Sequence, residues 1–206
     1  MMAFSMARTL PKTEVAISRE DVLLTRSAAG DDPAAKRRLL MRAVDRVHKV
    51  TSYLTRGASE SEDLAQVAMV QIVQSAGSFR GESTLEYWID RITVQTAAKH
   101  FEKRQRRKKL REGAWHPGPA VRDIEEEVAL LEVRRRLSDL LSEISPPQRT
   151  AVVLHYLFGY EVSEIADLTR TKHHTVRGRL REGLKRIRHK ILADPALRDW
   201  VQEGEK

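Results

Sequence analysis

The side chains best suited to binding a partner are the cations near the C-terminal end of the chain. From residue 172 to 188 the sequence holds one acid, Glu182, among many basic side chains: Lys172, His173, His174, Arg177, Arg179, Arg181, Lys185, Arg186 and Arg188. A basic helix fits the DNA major groove, where arginine binds guanine edges and lysine or histidine binds phosphates. A solvated basic helix is the alternative. Ile165, Val176 and Leu180 have the core spacing of a helix-turn-helix, which favours DNA contact.

A second cationic tract lies far from the first along the sequence. It comprises Lys99, Lys103, Arg104, Arg106, Arg107, Lys108 and Lys109. The segment that carries it also offers the aromatic residues Tyr87, Trp88 and Phe101. An unpaired base that stacks on an aromatic side chain gains about 1–3 kcal/mol, so this combination suits a single strand. Trp88 also lies on an apolar helical stripe, which by itself favours a core position for it over a stacking platform.

The sequence offers little for catalysis or metal binding. Its seven histidines show no metal-ligand spacing, and the absence of cysteine excludes disulfides, thiolate zinc sites and cysteine nucleophiles. No nucleophile elbow or phosphate-binding loop frames the serine, histidine and aspartate residues. We therefore predict no catalytic residues, no metal site and no cofactor.

Charge points to a polyanionic partner. The 206 residues carry a formal net charge of +8, which favours nucleic acid or an anionic membrane surface. No apolar run approaches the roughly 20 residues that span a bilayer, and the N-terminus lacks the order of a secretory signal. We expect a cytoplasmic protein with one domain or two small ones.

The elements that must position the second cationic tract are predicted helices. A first helix follows the capping residue Asp32, and a second begins at Ser59 or Ser61 and runs to about Ala76. A loop with two glycines, residues 77–83, leads to a third helix. The third helix has apolar residues at i, i+3, i+4 and i+7 and runs into the cations: Leu85, Trp88, Ile89 and Ile92.

The elements of the second half are also helical. A glycine- and proline-rich break at residues 113–119 marks a domain boundary. Beyond it, Ser145-Pro146-Pro147-Gln148 is typical of a helix start with a capping box, and Gly159 ends that helix. A short helix at residues 163–168, a turn and a long helix from Lys172 predict a helix-turn-helix. The chain is therefore predicted to be all-α, with two small helical domains joined by a flexible linker.

Six short motifs resemble the extracytoplasmic-function (ECF) RNA polymerase sigma factors. In the first half, Glu62–Gln66, Phe79–Ser83 and Trp88–Ile92 are similar to the second region of that family. In the second half, the motifs similar to its fourth region are Ile144–Arg149, Glu164–Ala166 and Thr175–Leu180. Their order and their gaps both fit, over roughly residues 30–192.

The resemblance implies a division of the chain. An N-terminal arm at residues 1–28 would precede a region 2 domain at residues 29–111, and a region 4 domain at residues 130–194 would precede a tail at residues 195–206. The linker between the domains, residues 112–129, would pass near the active-centre channel of the polymerase.

The resemblance also implies roles for individual residues. The helix that docks onto the coiled coil of the polymerase β′ subunit would carry Asp63, Leu64 and Gln66. The melted minus-ten strand would be bound by Phe79, Arg80, Gly81, Glu82, Ser83, Trp88, Arg91, Gln95 and Lys99. The minus-thirty-five element would be read by Lys172, His173, His174, Thr175, Arg177, Arg179 and Arg181.

The function that the resemblance implies is transcription initiation without catalysis. A dissociable subunit would bind core RNA polymerase, including its β flap, and would place it at promoter DNA. The resemblance implies an anti-sigma factor as a further partner. It implies no small-molecule substrate and no insertion into a membrane.

Two positions depart from the family pattern. Gln95 stands where the family usually has asparagine, and its longer side chain would change the preferred base. Thr169 and Arg170 stand where the helix-turn-helix turn usually has leucine and glycine. A positive φ at Arg170 would cost about 1 kcal/mol relative to glycine.

Two other functions stay open from the residues alone. A stand-alone helix-turn-helix regulator would bind DNA without polymerase and would have no need of Asp63, Leu64 and Gln66. A nuclease or recombinase fused to a DNA-binding tail would need clustered carboxylates for metal ions. The acids at residues 123–127 lie in the predicted linker, which disfavours the enzyme.

Overall fold

The computed structural model describes residues 18–110 and 136–193. They belong to two compact units, one formed mainly by residues 18–110 and the other by most of residues 136–193. The described residues contain helices and no strand, which confirms the predicted all-α class. Within the same ranges, none of the helices has the length and hydropathy that crossing a membrane requires. The predicted linker at residues 112–129 and the tail at residues 195–206 lie outside them.

The first unit has four α-helices within the described range. They are α1 (Arg19–Ala29), α2 (Pro33–Leu54), α3 (Ala58–Gln74) and α4 (Leu85–Leu110). A single 3₁₀ turn, Ala76–Ser78, follows α3. Helix α2 packs against α1, α3 and α4 and is therefore the centre of the unit. The core combines small residues such as Ala43, Ala65 and Ala68 with the large side chains of Leu39 and Trp88.

Helix α1 lies in the last part of the predicted N-terminal arm, residues 1–28, for which the sequence allows one short helical piece. Residues 19–28 are helical and pack on α2. The face that α1 buries is half polar, and this obscured its helical period: Asp21, Leu24, Thr25 and Ala28. The Asp21 carboxylate pairs with Arg42 of α2, so the buried acid is neutralised. Residues 1–17 lie outside the described part of the chain.

The starts of two helices follow from local sequence. The Asp32 side chain accepts a hydrogen bond from the Ala34 N–H at 2.9 Å, and Pro33 is the first residue of α2, which confirms the predicted cap. At the start of α4, Thr84 Oγ1 accepts a hydrogen bond from the Tyr87 N–H at 3.1 Å. Both caps satisfy backbone donors that the helix itself leaves without a partner.

The start of α3 differs from the prediction. The helix begins at Ala58, after Gly57, and not at Ser59 or Ser61. Ser61 is buried, and its hydroxyl donates to Thr51 Oγ1 at 3.1 Å. This serine therefore joins α3 to α2 instead of capping a helix.

The second unit contains the helix-turn-helix. Its described helices are α5 (residues 136–142), α6 (Pro146–Val152), α7 (Val162–Thr169) and α8 (His173–Ala193), with a π-helical turn, Val153–Leu157, after α6. The Ser145 N–H donates to Gln148 Oε1 at 3.1 Å, which confirms the predicted capping box at the start of α6. Gly159, with φ 70°, follows the π-helical turn.

Helices α7 and α8 form the predicted pair. Ile165, Val176 and Leu180 are buried, as their spacing indicates, and α8 packs against α6. Helix α8 approaches α6 closely, because a Cβ atom added at Gly183 would lie 3.1 Å from Val152 Cγ2. Arg170 in the turn has φ 51°, a left-handed conformation that an L-residue rarely adopts.

We expect Arg170→Gly to stabilise the helix-turn-helix by about 0.5–1 kcal/mol. Glycine removes the steric cost of the positive φ at this position, and part of that gain is offset by the greater freedom of glycine in the unfolded chain. Scanning calorimetry of the full-length protein would measure the change. Arg170→Ala is the control, because it removes the same charge and keeps the strain. Equal stabilisation by both variants would contradict the prediction.

Candidate functional site

Helix α3 presents a face that is both polar and apolar. Asp63 and Gln66 are exposed, and so are Val67 and Val70, at 51% and 54%. At about 100° per residue these four side chains share one side of the helix. We call Asp63, Gln66, Val67 and Val70 the α3 face.

The third residue predicted for polymerase binding has a different location. Leu64 is only 1% exposed, so its side chain belongs to the core of the first unit and supports α3 from inside. The two valines were missed from sequence, although α3 has more apolar residues than one buried side requires. Exposed apolar side chains beside an acid suit a protein partner better than a polyanion.

The loop before α4 places its aromatic residue in the core. Phe79 is buried, and its ring meets the edge of Trp88 with centroids 5.6 Å apart and an interplanar angle of 64°. Trp88 Nε1 donates to Ser78 Oγ at 3.4 Å. Trp88 therefore occupies the core position that its place on the apolar stripe indicates. The two rings fix the loop, whose Arg80 and Glu82 are exposed.

A positive φ shapes the same loop. Gly81 has φ 72° and is buried, between the exposed Arg80 and Glu82 and close to the half-buried Ser83. Only glycine adopts this angle without steric cost. Of the predicted strand-binding residues in this loop, the structure thus exposes the two charged ones and buries Phe79 and Gly81.

Helix α4 carries a row of polar side chains on one side. Arg91 and Lys99 are exposed and Gln95 is half-buried, at a spacing of four residues. Lys103 and Arg106 are exposed further along on the same side. We call Arg91, Gln95, Lys99, Lys103 and Arg106 the α4 basic face. The structure thus brings together the three residues predicted from this helix and adds two cations to them.

A buried ion pair fixes the rotation of α4. Asp90 is 0% exposed, and Arg46 of α2 donates to it twice, from Nε to Oδ1 at 2.9 Å and from a terminal nitrogen to Oδ2 at 2.5 Å. Two parallel hydrogen bonds define the orientation of both groups. With Asp90 turned inward, its neighbour Arg91 is turned outward.

Helix α8 separates an apolar side from a basic one. Val176, Leu180 and Gly183 are buried. The exposed part of the predicted DNA-reading set lies mostly on the other sides of the helix: Lys172, His173, His174, Arg177 and Arg181. Thr175 and Arg179 are half-buried at the boundary.

Two further features complete the basic side of α8. Burial lowers the pKa of Arg179 below its usual value, although a guanidinium stays protonated at neutral pH. Lys185, which the predicted site omits, is exposed on the same side of the helix as His174 and Arg181.

No group of three acidic or histidine side chains that could hold a metal ion occurs among the described residues.

The comparisons with known proteins agree with both units. Residues 39–107 match the family described as Sigma-70 region 2, and residues 134–187 match Sigma-70, region 4. The chain is 31% identical over 155 residues to the ECF RNA polymerase sigma-E factor of Haemophilus influenzae, which covers 70% of this chain and 82% of that protein. The chain belongs to the ECF RNA polymerase sigma factors.

Other relatives extend the match. This sigma factor is 28% identical over 179 residues to the ECF RNA polymerase sigma factor SigK of a Mycobacterium species, which covers 82% of this chain and 89% of that protein. In fold it is similar to the sigma factor RpoE of Bartonella quintana, solved with the anti-sigma factor NepR, with a TM-score of 0.61 and 19% identity over 77% of this chain and 97% of that chain. The structure of CnrH with the cytosolic domain of CnrY gives a TM-score of 0.58 and 17% identity over 84% of this chain and 98% of that chain.

The two family matches cover different surfaces of this sigma factor. The α3 face and the α4 basic face both lie in the region 2 match, and the basic side of α8 up to residue 187 lies in the region 4 match. Helix α1 precedes the region 2 match, so its packing on α2 is a feature that the family comparison does not cover.

We expect Asp90→Ala to destabilise the first unit by about 3 kcal/mol, because it leaves the Arg46 guanidinium largely buried without its carboxylate. Urea unfolding followed by Trp88 fluorescence would measure this, in a background with Trp115→Phe and Trp200→Phe. Adding Arg46→Met should restore part of the loss. If the two losses simply add, the ion pair does not have the proposed role.

Proposed function

We propose that this sigma factor binds core RNA polymerase through the α3 face and thereby brings the enzyme to promoters. The observation that carries the proposal is the exposure of Asp63, Gln66, Val67 and Val70 on one side of α3. A helix side with apolar and acidic groups suits a helical protein surface, and the resemblance to the family assigns this helix to the coiled coil of the β′ subunit. A stand-alone DNA-binding regulator has no need of such a face.

The α4 basic face is the proposed site for the melted minus-ten strand. Arg91 and Lys99 supply positive charge for backbone phosphates, and the Gln95 amide offers both a donor and an acceptor to an unpaired base. Arg80 and Glu82 extend the surface into the loop. Phe79 and Trp88 support this loop from the core, and they would have to leave the core before a base could stack on them.

The basic side of α8 is the proposed reader of the minus-thirty-five element. Helix α8 has the length and charge to lie in a major groove, with Lys172, His173 and His174 at its N-terminal end. Arg177 and Arg181 follow one turn apart, and both are exposed. Gly178, between them, has open space around its Cβ position, so the helix backbone can approach DNA closely.

The proposed protein catalyses no reaction of its own. Core polymerase forms the phosphodiester bonds, and the sigma factor supplies promoter recognition in the cytoplasm. Contact with the β flap and passage of residues 112–129 near the active-centre channel remain part of the proposal. An anti-sigma factor is a proposed further partner, supported by the fold shared with a sigma factor that was solved with one.

Transcription with purified components tests the proposal. We expect the protein to form a stable complex with bacterial core RNA polymerase and to give discrete run-off transcripts from a library of genomic fragments. Asp63→Ala should weaken core binding about tenfold, a loss of about 1.4 kcal/mol, because it removes the charge of the α3 face without touching the core of the unit. Fluorescence anisotropy of the labelled sigma factor would measure the affinity.

The control is Asp45→Ala, which removes an exposed acid of α2 and leaves the α3 face unchanged. It should leave both the affinity for core polymerase and the transcripts unchanged. Equal weakening by the two variants would point to a general charge effect. Promoter binding without any polymerase complex would support the stand-alone regulator instead.

We expect Arg177→Ala to reduce the salt dependence of promoter binding. Each phosphate contact contributes about 0.9 to the slope of log K against log salt concentration on duplex DNA, so losing one contact flattens the slope by about that amount. Filter binding of the holoenzyme between low and moderate salt would measure the slope. Lys190→Ala is the control, since Lys190 Nζ lies 3.4 Å from Glu143 on the same unit and should not contact DNA. An unchanged slope for Arg177→Ala would remove it from the interface.

A further inference from the structure

A single carboxylate joins the start of α3 to the far part of α4. Glu60 lies in the first turn of α3, and its Oε1 is 3.2 Å from His100 Nε2. The guanidinium of Arg104 donates to the same oxygen, and the Arg56 backbone N–H donates to Oε2 at 3.4 Å. The Glu60 side chain is only 18% exposed. Three groups therefore converge on one sheltered acid.

The contact lies where α4 leaves the core. Phe101 is buried, and residues 102–106 after it are all exposed. Arg104 is thus held to α3 at a point where apolar packing no longer fixes the helix. His100, one turn before Arg104, is half-buried against the same carboxylate. The Glu60 contacts extend the fixed part of α4 by about one turn.

The electrostatics of Glu60 favour its charged form. Burial by itself raises the pKa of the carboxyl, but the hydrogen bond and charge of Arg104, with hydrogen bonds from His100 and the Arg56 backbone, lower the pKa further than burial raises it. The net pKa is below the usual glutamate value, so Glu60 is ionised at neutral pH. The charge that holds Arg104 is therefore present under the conditions of transcription.

Arg104 faces away from the α4 basic face. It comes nine positions after Gln95, which is about half a turn of an α-helix, and five positions after Lys99, which is well over a third of a turn. Without Glu60, the Arg104 guanidinium would be free to bind phosphates on the opposite side of α4 from the predicted strand-binding residues. Such contacts would be independent of base sequence.

We propose that Glu60 is a positioning residue for single-strand recognition, which holds Arg104 against α3 and so confines phosphate contacts to the α4 basic face. The inference rests on the proposed function, because it assumes that a melted strand lies along Arg91, Gln95 and Lys99. It adds to that function a residue of α3 that touches no DNA and limits non-specific binding.

The inference predicts a gain of binding, which a purely structural role does not. Glu60→Gln keeps the size of the side chain and removes its charge, so Arg104 is released. We expect the affinity for a scrambled single strand to rise about threefold at low salt, and the slope of log K against log salt concentration to steepen by about 0.7, the value for one phosphate contact on a single strand. The ratio of minus-ten to scrambled affinity should fall correspondingly.

The experiment uses holoenzyme reconstituted from core polymerase and the full chain. Fluorescein-labelled 12-mers supply the probes: the non-template minus-ten strand of a promoter found by run-off transcription, and a scrambled strand of the same composition. Anisotropy gives both affinities across a salt series. Glu62→Gln is the matched control, because it removes one exposed acid of α3 and should change neither the slope nor the affinity ratio.

A second variant tests the inference by changing the cation instead of the acid. Arg104→Gln should leave the wild-type slope unchanged, because Arg104 is held by Glu60 and does not contact the strand. A slope flatter by about 0.7 in this variant would show Arg104 on the DNA and overturn the inference. The double variant Glu60→Gln with Arg104→Gln should return the slope to the wild-type value, and Glu60→Asp should stay close to wild type.

The outcomes separate the inference from the proposed function. If the wild-type chain forms no complex with core polymerase, the proposed function fails and the inference fails with it. If the complex forms and Glu60→Gln weakens binding to both probes equally, or leaves the slope unchanged, the inference alone is wrong. Thermal unfolding of each variant identifies any loss of binding that comes from misfolding, and in that case Arg104→Gln decides.

Discussion

The buried Asp90 carboxylate is the constraint on which the first unit depends. An ionised acid without solvent contact is costly unless it is paired and hydrogen-bonded, and Arg46 meets both requirements from α2. The pair has one geometry, so it fixes the rotation of α4 about its own axis. Arg91, Gln95 and Lys99 share a side because they are four positions apart, and the rotation of α4 turns that side away from the core. The proposed strand-binding surface therefore follows from an interaction that is itself hidden from DNA.

A protein with a net charge of +8 must also control where its cations lie. Among the described residues, several cations away from the proposed DNA surfaces are tied to acids: Lys36 to Asp31, Arg42 to Asp21, Arg46 to Asp90, Arg104 to Glu60 and Lys190 to Glu143. Arg91, Lys99 and Arg177 make no ion pair within the same part of the chain, whereas Arg181 on the basic side of α8 lies 3.4 Å from its neighbour Glu182. Exposed ion pairs add little stability. Their more important effect is to neutralise positive charge on the helix sides that lie away from the proposed DNA surfaces.

Structural features that depend on residues close together in the sequence were predicted from the sequence. The helix-turn-helix core at Ile165, Val176 and Leu180 and the capping box at Ser145 follow from spacing of a few positions, and both are confirmed. The resemblance to the sigma factors was confirmed for the same reason, because its motifs are short and ordered. The extent of helix α1 was not predicted, because half of its buried side is polar, which hides the apolar period that identifies a helix.

Contacts between distant residues could not be predicted in this way. Glu60 contacts His100 and Arg104, which lie 40 and 44 positions later in the sequence, and no local pattern predicts these contacts. The exposure of Val67 and Val70 likewise depends on which side of α3 the core takes. Phe79 has a residue type that suits base stacking, and only its burial assigns it to the core, whereas the apolar stripe of α4 already indicated a core position for Trp88.

The proposed division of DNA contacts between two units has an energetic consequence. Once one surface is bound, the second binds as an intramolecular event, so two modest affinities combine into a strong one without any single tight contact. Such a protein discriminates between DNA sequences through the sum of its base contacts. Every sequence-independent phosphate contact strengthens binding to promoter and non-promoter DNA alike. Non-promoter sites are in vast excess in a genome, so a misplaced cation costs specificity even as it raises affinity. A fold that holds Arg104 away from the strand, as proposed, therefore gives up some affinity and gains selectivity.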